Sequence, residues 1–124
     1  LGYGAIALKP IAKTLSITLQ MLDEAQKRKI PCFCADLTVN PYLSDWNKNV
    51  ACRLAPLPGM KTGVVECNGA QNYKNWRQLK SYHPIPEASW REPAGGVYHL
   101  DEQFHRQSGG ILLPLSSCRS FFQA

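Results

Sequence analysis

Short apolar segments alternate with amphipathic segments along the first half of the chain. Residues 4–9, 30–35 and 62–66 are short, predominantly apolar, and bounded by glycine, proline or polar residues. Continuous apolar runs of this length are typical of strands buried on both faces of a sheet. The pattern therefore predicts three buried strands. A polar residue marks the end of each predicted strand: Lys9, Asp36 and Glu66.

Two helices are predicted between these strands. Apolar residues recur at helical spacing from Leu15 to Ala25, with most charged residues on the opposite side, which indicates an amphipathic helix of about four turns. Thr14 suits the N-cap of that helix. A shorter helix is predicted over residues 45–54, and the prolines and glycine within 56–59 end it. The order strand–helix–strand–helix–strand favours parallel pairing through right-handed crossovers.

The polar residues at the strand ends are the first candidates for chemistry. The carboxyl ends of parallel strands share one edge of a sheet, so Lys9, Asp36 and Glu66 are expected on the same rim. A lysine accepts a proton where its surroundings favour the neutral amine, and carboxylates opposite it suit proton transfer beside a carbonyl group. Any parallel sheet also carries solvated polar residues at its strand ends, and the spacing alone leaves that interpretation open.

The second half of the chain has a different character. Residues 70–124 are rich in aromatic residues and proline and show little periodicity, so we divide the chain into a strand–helix portion, 1–69, and an irregular tail, 70–124. We interpret the tail as a segment that wraps over another surface. Its local patterns predict a helical turn at 73–79, extended chain at 83–86, a short strand at 97–100 and a turn at 108–110.

Composition argues against several classes of function. The net charge of the 124 residues is +5, but the basic residues are spread along the chain and no glycine-rich phosphate motif is present. Nucleic acid is therefore not an expected partner. A membrane is not expected either, since no apolar run approaches the ~20 residues that a membrane span needs. His83, His99 and His105 are scattered through the tail and are interpreted as surface or interface residues.

The five cysteines favour a reducing compartment. Their number is odd and none forms a C-x-x-C pair, so we expect free thiols and a cytoplasmic location. Cys32 and Cys34 share one face of a predicted strand. A metal-binding pair is one interpretation of that spacing, but no histidine lies nearby at ligand spacing, and inert core thiols are favoured.

Four segments of the chain resemble a known family. They are IALKPIAKT at 6–14, IPCFCAD at 30–36, WNKNVA at 46–51 and GMKTGVVECNG at 59–69. Over about residues 4–80, the chain resembles the carboxyl-terminal part of the mandelate racemase/muconate lactonizing branch of the enolase superfamily. The resemblance implies a (β/α)7β barrel of the TIM type, in which the three predicted strands are the sixth, seventh and eighth.

The same resemblance implies roles for individual residues. Lys9 ends the strand that carries an acid/base lysine in the muconate lactonizing type, and Lys13 also matches the pattern. The ends of the seventh and eighth strands touch the substrate in that family, which implies substrate contacts for Asp36 and Glu66. The substrate would be a small carboxylate that loses its α-proton in a racemase, epimerase, lactonizing or dehydratase reaction.

The resemblance also implies what the matched portion lacks. In the family, Mg²⁺ is held by carboxylates that end the third, fourth and fifth strands, and neither Asp36 nor Glu66 matches a ligand position. We therefore expect a partial barrel, roughly the last third of such an enzyme, that lacks the metal site and is inactive alone. Its exposed sheet edges predict self-association or assembly with the rest of the barrel. The competing hypothesis is a non-catalytic α/β module for binding or assembly.

Overall fold

A small parallel sheet forms the centre of the molecule. The structure, a computed structural model, describes residues 2–36 and 39–113. Its strands pair in parallel in the order β1–β2–β3, which confirms the predicted mixed α/β class. Helix α1 links the first two strands and helix α2 the last two. The bounds are β1 Ile6–Leu8, α1 Leu15–Lys27, β2 Cys32–Ala35, α2 Ser44–Ala51 and β3 Val65–Glu66.

The strands are shorter than the apolar segments predicted. Leu8 lies opposite Cys34 in β2, and Cys34 lies opposite Val65 in β3. Gly63 explains the late start of β3: a Cβ on this residue would lie 1.9 Å from the carbonyl oxygen of Ala51. The chain therefore passes directly against the end of α2, where only glycine fits, before it joins the sheet.

Helix α1 begins at the predicted residue but is capped differently. Thr14 occupies the N-cap position with φ 69°, and its side chain makes no capping bond to the helix. Its Oγ1 lies 3.2 Å from Oγ of Ser16 instead. Of the predicted apolar face, Ala25 is buried, whereas Leu19 is half exposed. The helix thus covers the sheet with only part of its apolar surface.

The core lies between the sheet and the first two helices. Cys34 and Leu8 are fully buried at its centre, and Val50 and Ala51 of α2 pack into the same cluster. Burial of such apolar side chains supplies the main stabilisation of a domain of this size. The buried members are Leu8, Ala25, Cys32, Cys34, Val50, Ala51 and Leu54.

The second half of the described chain forms short helices and turns that pack on α2. Trp90 and Phe104 are fully buried and meet edge to face, with ring centroids 5.5 Å apart. Asp101 caps α5 by accepting a hydrogen bond of 2.8 Å from the amide of Phe104. The elements are α3 Gly69–Asn72, α4 Trp76–Ser81, a 3₁₀ turn at Ser89–Arg91, α5 Glu102–Gln107 and a second 3₁₀ turn at Ser108–Gly110.

Two predictions for this half are wrong. The segment 83–86 forms bends and the start of a turn rather than extended chain. The segment 97–100 is not a strand: Gly95 and Gly96, both with positive φ, close a tight turn, but pairing stops after the single bridge between Ala94 and Val97. The predicted turn at 108–110 is confirmed as a 3₁₀ turn. The predicted helical turn is also confirmed, within Trp76–Ser81.

Candidate functional site

The carboxyl edge of the sheet brings the strand-end residues to one side of the molecule. Lys9 directly follows β1, Asp36 directly follows β2, and Glu66 is the last residue of β3. Because the strands are adjacent and parallel, with Ala35 opposite Glu66, all three residues lie at the same edge. We call this edge the rim. Lys9 is half-buried there, and Glu66 is exposed to solvent.

Asp36 has a structural task at the rim. It is 6% exposed, and its Oδ2 accepts a hydrogen bond of 2.9 Å from the backbone amide of Ile11. The amide of Lys13 donates to the carbonyl oxygen of Lys9 over 2.9 Å, which folds residues 9–13 into a turn. Asp36 therefore holds the turn that follows Lys9 against the end of β2. The Lys13 side chain is exposed, one turn along the chain from Lys9.

A buried ionic network lies below the rim, centred on Asp45 of α2. Its Oδ1 accepts a hydrogen bond of 2.7 Å from Nζ of Lys48. Its Oδ2 accepts one of 2.8 Å from Nη1 of Arg91 and lies 3.1 Å from Nε2 of His83. All four side chains are at most 2% exposed. The prediction that His83 is a surface or interface residue is therefore wrong, since it is buried against α2.

The charges of this network are set by burial and by contacts within it. Burial alone would raise the pKa of Asp45, but the adjacent imidazole of His83 and the ammonium of Lys48 outweigh it and hold the pKa below its usual value. Burial lowers the pKa of Lys48, although Asp45 opposes that shift. The amide of Ile85 donates to Nδ1 of His83 over 3.0 Å, which assigns the proton of a neutral imidazole to Nε2, facing Asp45.

Lys48 is committed to structural contacts. Its ammonium donates to Asp45 and, over 2.9 Å, to the carbonyl oxygen of Trp90. It also lies 4.1 Å from the ring centroid of Tyr98. These three partners match the three N–H groups of an ammonium, so Lys48 has none left for a substrate. The network joins α2 to the second half of the chain. Asp45 and Lys48 were not among the residues singled out from the sequence, although their spacing of three positions on one predicted helix is typical of an ion pair.

A narrow cleft, too tightly packed to hold a water molecule, lies between the rim and this network. Its lining includes Asp36 and Glu66 from the rim, Lys48 from the network, and Asn47. The side-chain oxygen of Asn47 is buried and has no hydrogen-bond partner in the described part of the chain. Sequence reasoning missed Asn47, because a polar residue within a short helix carries no local sign that it will be buried.

The described residues do not fit a magnesium site. No group of three histidine, cysteine or acidic residues that could hold a metal ion occurs within residues 2–36 and 39–113. At the rim, one oxygen of Asp36 is already bonded to the amide of Ile11. A hard divalent cation needs several oxygen ligands, and this edge offers a lysine and one unengaged carboxylate. No catalytic step is therefore assigned to a metal here.

The thiols described are free, and two of them belong to the core. Burial, with a smaller effect of the Asp36 carboxylate, raises the pKa of Cys34 to about 12. Burial also raises the pKa of Cys32. Such thiols are poor nucleophiles and poor metal ligands, which supports the interpretation as core residues. Cys52 is exposed and Cys67 half-buried, while Cys118 lies outside the described residues.

Comparison of the chain with family models, curated proteins and solved structures returned no significant match. The enolase-superfamily resemblance therefore stands on the four sequence segments alone. Among the described residues, no helix is both long enough and apolar enough to cross a membrane.

Proposed function

We propose that this chain supplies the last three strands of an enolase-superfamily barrel, with Lys9 as the acid/base residue that acts on the α-proton of a small carboxylate. The observation that carries the proposal is the parallel order β1–β2–β3 with Lys9, Asp36 and Glu66 at its carboxyl edge. Enzymes built on β/α barrels carry their active sites at that edge. The strand order and the intervening helices fit the end of such a barrel.

Unpartnered surfaces support assembly with further strands and helices. Within the described residues, β1 pairs with β2 alone, so its outer edge is free to accept another strand. Helix α1 exposes Ile17, Leu19 and Met21, which are 47%, 50% and 37% accessible. In a complete barrel, neighbouring elements would cover both surfaces. The partner that fits is the remainder of a barrel, or a second copy of this chain.

The proposed chemistry assigns each rim residue one task. A neutral Lys9 amine takes the proton from the carbon next to the substrate carboxylate, which leaves a carbanion conjugated with that carboxylate and an ammonium on Lys9. Return of a proton from the Lys9 ammonium to the same face of the carbanion regenerates the amine, and it exchanges the α-hydrogen when the ammonium has first traded protons with water. The exposed ammonium of Lys13 would attract the substrate carboxylate. Glu66 would accept hydrogen bonds from substrate hydroxyl groups.

In this proposal Asp36 acts by positioning. Its bond to Ile11 fixes the turn that carries Lys9, and its buried carboxylate lines the cleft beside Glu66. The proposed parent enzyme would use Mg²⁺ to stabilise the negative charge of the intermediate. The ligands that the family uses have no counterpart among the described residues, so this chain's part is proton transfer and substrate contact.

Exchange of α-hydrogens in deuterated water tests the proposal directly. A protein carrying this segment is incubated with a panel of small 2-hydroxy and sugar carboxylates, and loss of the α-proton signal is followed by NMR. Lys9→Met should slow exchange by about 10²–10⁴-fold, the usual cost of losing a general base. Lys13→Met is the matched control. It should raise the substrate concentration required for half-maximal exchange, with a much smaller effect on the maximal exchange rate.

The non-catalytic alternative has one observation in its favour. An apolar cavity of about 380 Å³ lies beside α1, lined by residues that include Leu15, Leu22 and Trp46. A binding or assembly module would use this surface and would not need the lysine. Unchanged exchange in the Lys9→Met protein would favour this alternative and refute the catalytic assignment.

A further inference from the structure

A second cavity shares no residue with the rim and is lined by basic side chains. It has a volume of about 260 Å³ and lies between α4 and the 3₁₀ turn at Ser89–Arg91. Its cationic side chains are Arg77, Lys80 and Arg91, and its carboxylates are Glu87 and Glu92. Glu92 is already paired with Lys80 in a direct ion pair. Arg91 is linked to Asp45, which also binds Lys48, so the connected group holds four cations and three carboxylates and keeps one positive charge in excess.

Arg91 is the unusual member of this group. Its side chain is 2% exposed. Nη1 donates to Oδ2 of Asp45 over 2.8 Å and to the carbonyl oxygen of Pro41 over 2.7 Å. Nε and Nη2 are buried without a hydrogen-bond partner in the described part of the chain. Buried polar groups are nearly always paired. This side of the guanidinium is covered by neighbouring atoms, so an oxyanion in the cavity that Arg91 lines would reach it only by displacing them.

The unpaired nitrogens define the shape of that ligand. Nε and Nη2 form one edge of the planar guanidinium, and such an edge binds two oxygens of an oxyanion through parallel hydrogen bonds. Lys80 lies close enough to Arg91 and Lys48 for their positive charges to affect its pKa. Burial first, and then the charges of Arg91 and Lys48, lower its pKa. A bound anion would relieve the repulsion among these cations.

We propose that this cavity binds the phosphate group of a small molecule, held by the free edge of Arg91 and by the cationic side chains of Arg77 and Lys80. A phosphate fits better than a carboxylate, because its oxygens point in several directions and can accept from Arg77 and Arg91 at once. It would reach Lys80 by displacing the exposed carboxylate of Glu92. The volume is below the ~300–1,000 Å³ typical of sites for drug-sized ligands, which suits a phosphate-sized group. This inference does not depend on the role of Lys9.

Titration of the full chain with inorganic phosphate tests the inference. Backbone amide shifts are followed by NMR at constant ionic strength, with chloride as the balancing anion and sodium acetate as the comparison. Phosphate should bind saturably and shift the amides of α4 and residues 87–92, while acetate should bind at least tenfold more weakly. A parallel titration with phenyl phosphate identifies the source of the phosphate. Tighter binding of phenyl phosphate than of inorganic phosphate would indicate a phosphate monoester, and weaker binding would indicate free phosphate.

Three exposed positions provide variants that keep the buried network intact. Arg77→Gln should weaken phosphate binding about tenfold, the effect of one charge-assisted hydrogen bond. Glu87→Gln removes a carboxylate of the cavity and should strengthen binding. Arg28→Gln makes the same charge change at the residue that follows α1, outside the cavity, and should leave binding unchanged. Absence of saturable binding, equal binding of acetate, or equal losses in Arg77→Gln and Arg28→Gln would overturn the inference.

Discussion

The carboxylate of Asp36 and the backbone amide of Ile11 are joined by a partly buried hydrogen bond of 2.9 Å between residues 25 positions apart in the chain. This bond connects the end of β2 to the turn that follows β1, and so it positions Lys9 relative to the neighbouring strand. A carboxylate that accepts from a backbone amide forms one of the stronger hydrogen bonds in proteins. The rim therefore depends on a buried carboxylate as well as on strand order.

Removal of this bond should loosen the turn locally. Asp36→Ala should lower the free energy of unfolding by about 1–3 kcal/mol, because it deletes a hydrogen bond to a charged group and leaves the Ile11 amide unpaired. Asp36→Asn keeps an acceptor oxygen and should cost less. Hydrogen exchange checks the mechanism: the Ile11 amide should lose protection selectively in Asp36→Ala. Uniform loss of protection over the sheet would instead indicate a general packing defect.

Asp45 should be among the residues most important for stability. Asp45→Asn removes the negative charge between Lys48 and Arg91 and leaves two cations buried together, which typically costs about 3–5 kcal/mol. Asp23→Asn is the matched control, since Asp23 pairs with Lys27 at the surface of α1, where solvent screens the charges and loss of an ion pair costs little stability. Chemical denaturation of both variants measures the difference. Equal costs would contradict the proposed importance of the buried network.

The lowered pKa of Asp45 also predicts how the stability of the folded protein depends on pH. Its pKa in the folded protein is held below the ordinary value of 3.8. A group of this kind stabilises the folded state above its unfolded pKa, and the contribution is lost as the pH falls through the folded pKa. Stability measured from pH 6 down to pH 2 should therefore drop below about pH 3.8. The drop should be smaller in Asp45→Asn, and an identical acid profile would contradict this assignment.

Gly63 should resist substitution. A Cβ at this position would collide with the carbonyl of Ala51, so Gly63→Ala must displace β3 from the end of α2. Such overpacking typically costs about 1–3 kcal/mol. Gly4→Ala is the control, because no atom lies within 4 Å of a Cβ at Gly4. Thermal unfolding should separate the two variants, and a neutral Gly63→Ala would mean that the chain does not pass so close to the helix.

The exposed apolar side of α1 should promote association. Leu19 is 50% accessible, and Leu19→Lys should weaken self-association, or assembly with the rest of a barrel, by placing a charge on that surface. Gln20→Lys adds the same charge at the next exposed position, which points away from Leu19 around the helix. Sedimentation over a range of concentrations provides the measurement. A wild-type chain that stays monomeric throughout would argue against the proposed self-association.

The local pattern of the sequence determined the order and type of the first elements. Helical spacing from Leu15 to Ala25 predicted α1, and apolar runs predicted three strands that each end at a polar residue; all are present, with shorter strands. These features depend on neighbours within a few positions, because the periodicity of a helix or strand repeats over that distance. Parallel pairing followed from the length of the connections, so the rim could be predicted as well.

Only the tertiary structure decided which polar residues are buried together. Arg91 contacts Asp45 across 46 positions of the chain, and His83 also lies against Asp45. Arg91 and His83 both belong to a part of the sequence with little periodicity, so no local pattern predicted these contacts. The close approach of Gly63 to α2 likewise shortens a strand that its own sequence favours. Contacts of this kind depend on how separate segments pack in space. Burial then changes the cost of charge and of unpaired polar groups, so a residue's neighbours in the fold decide its role.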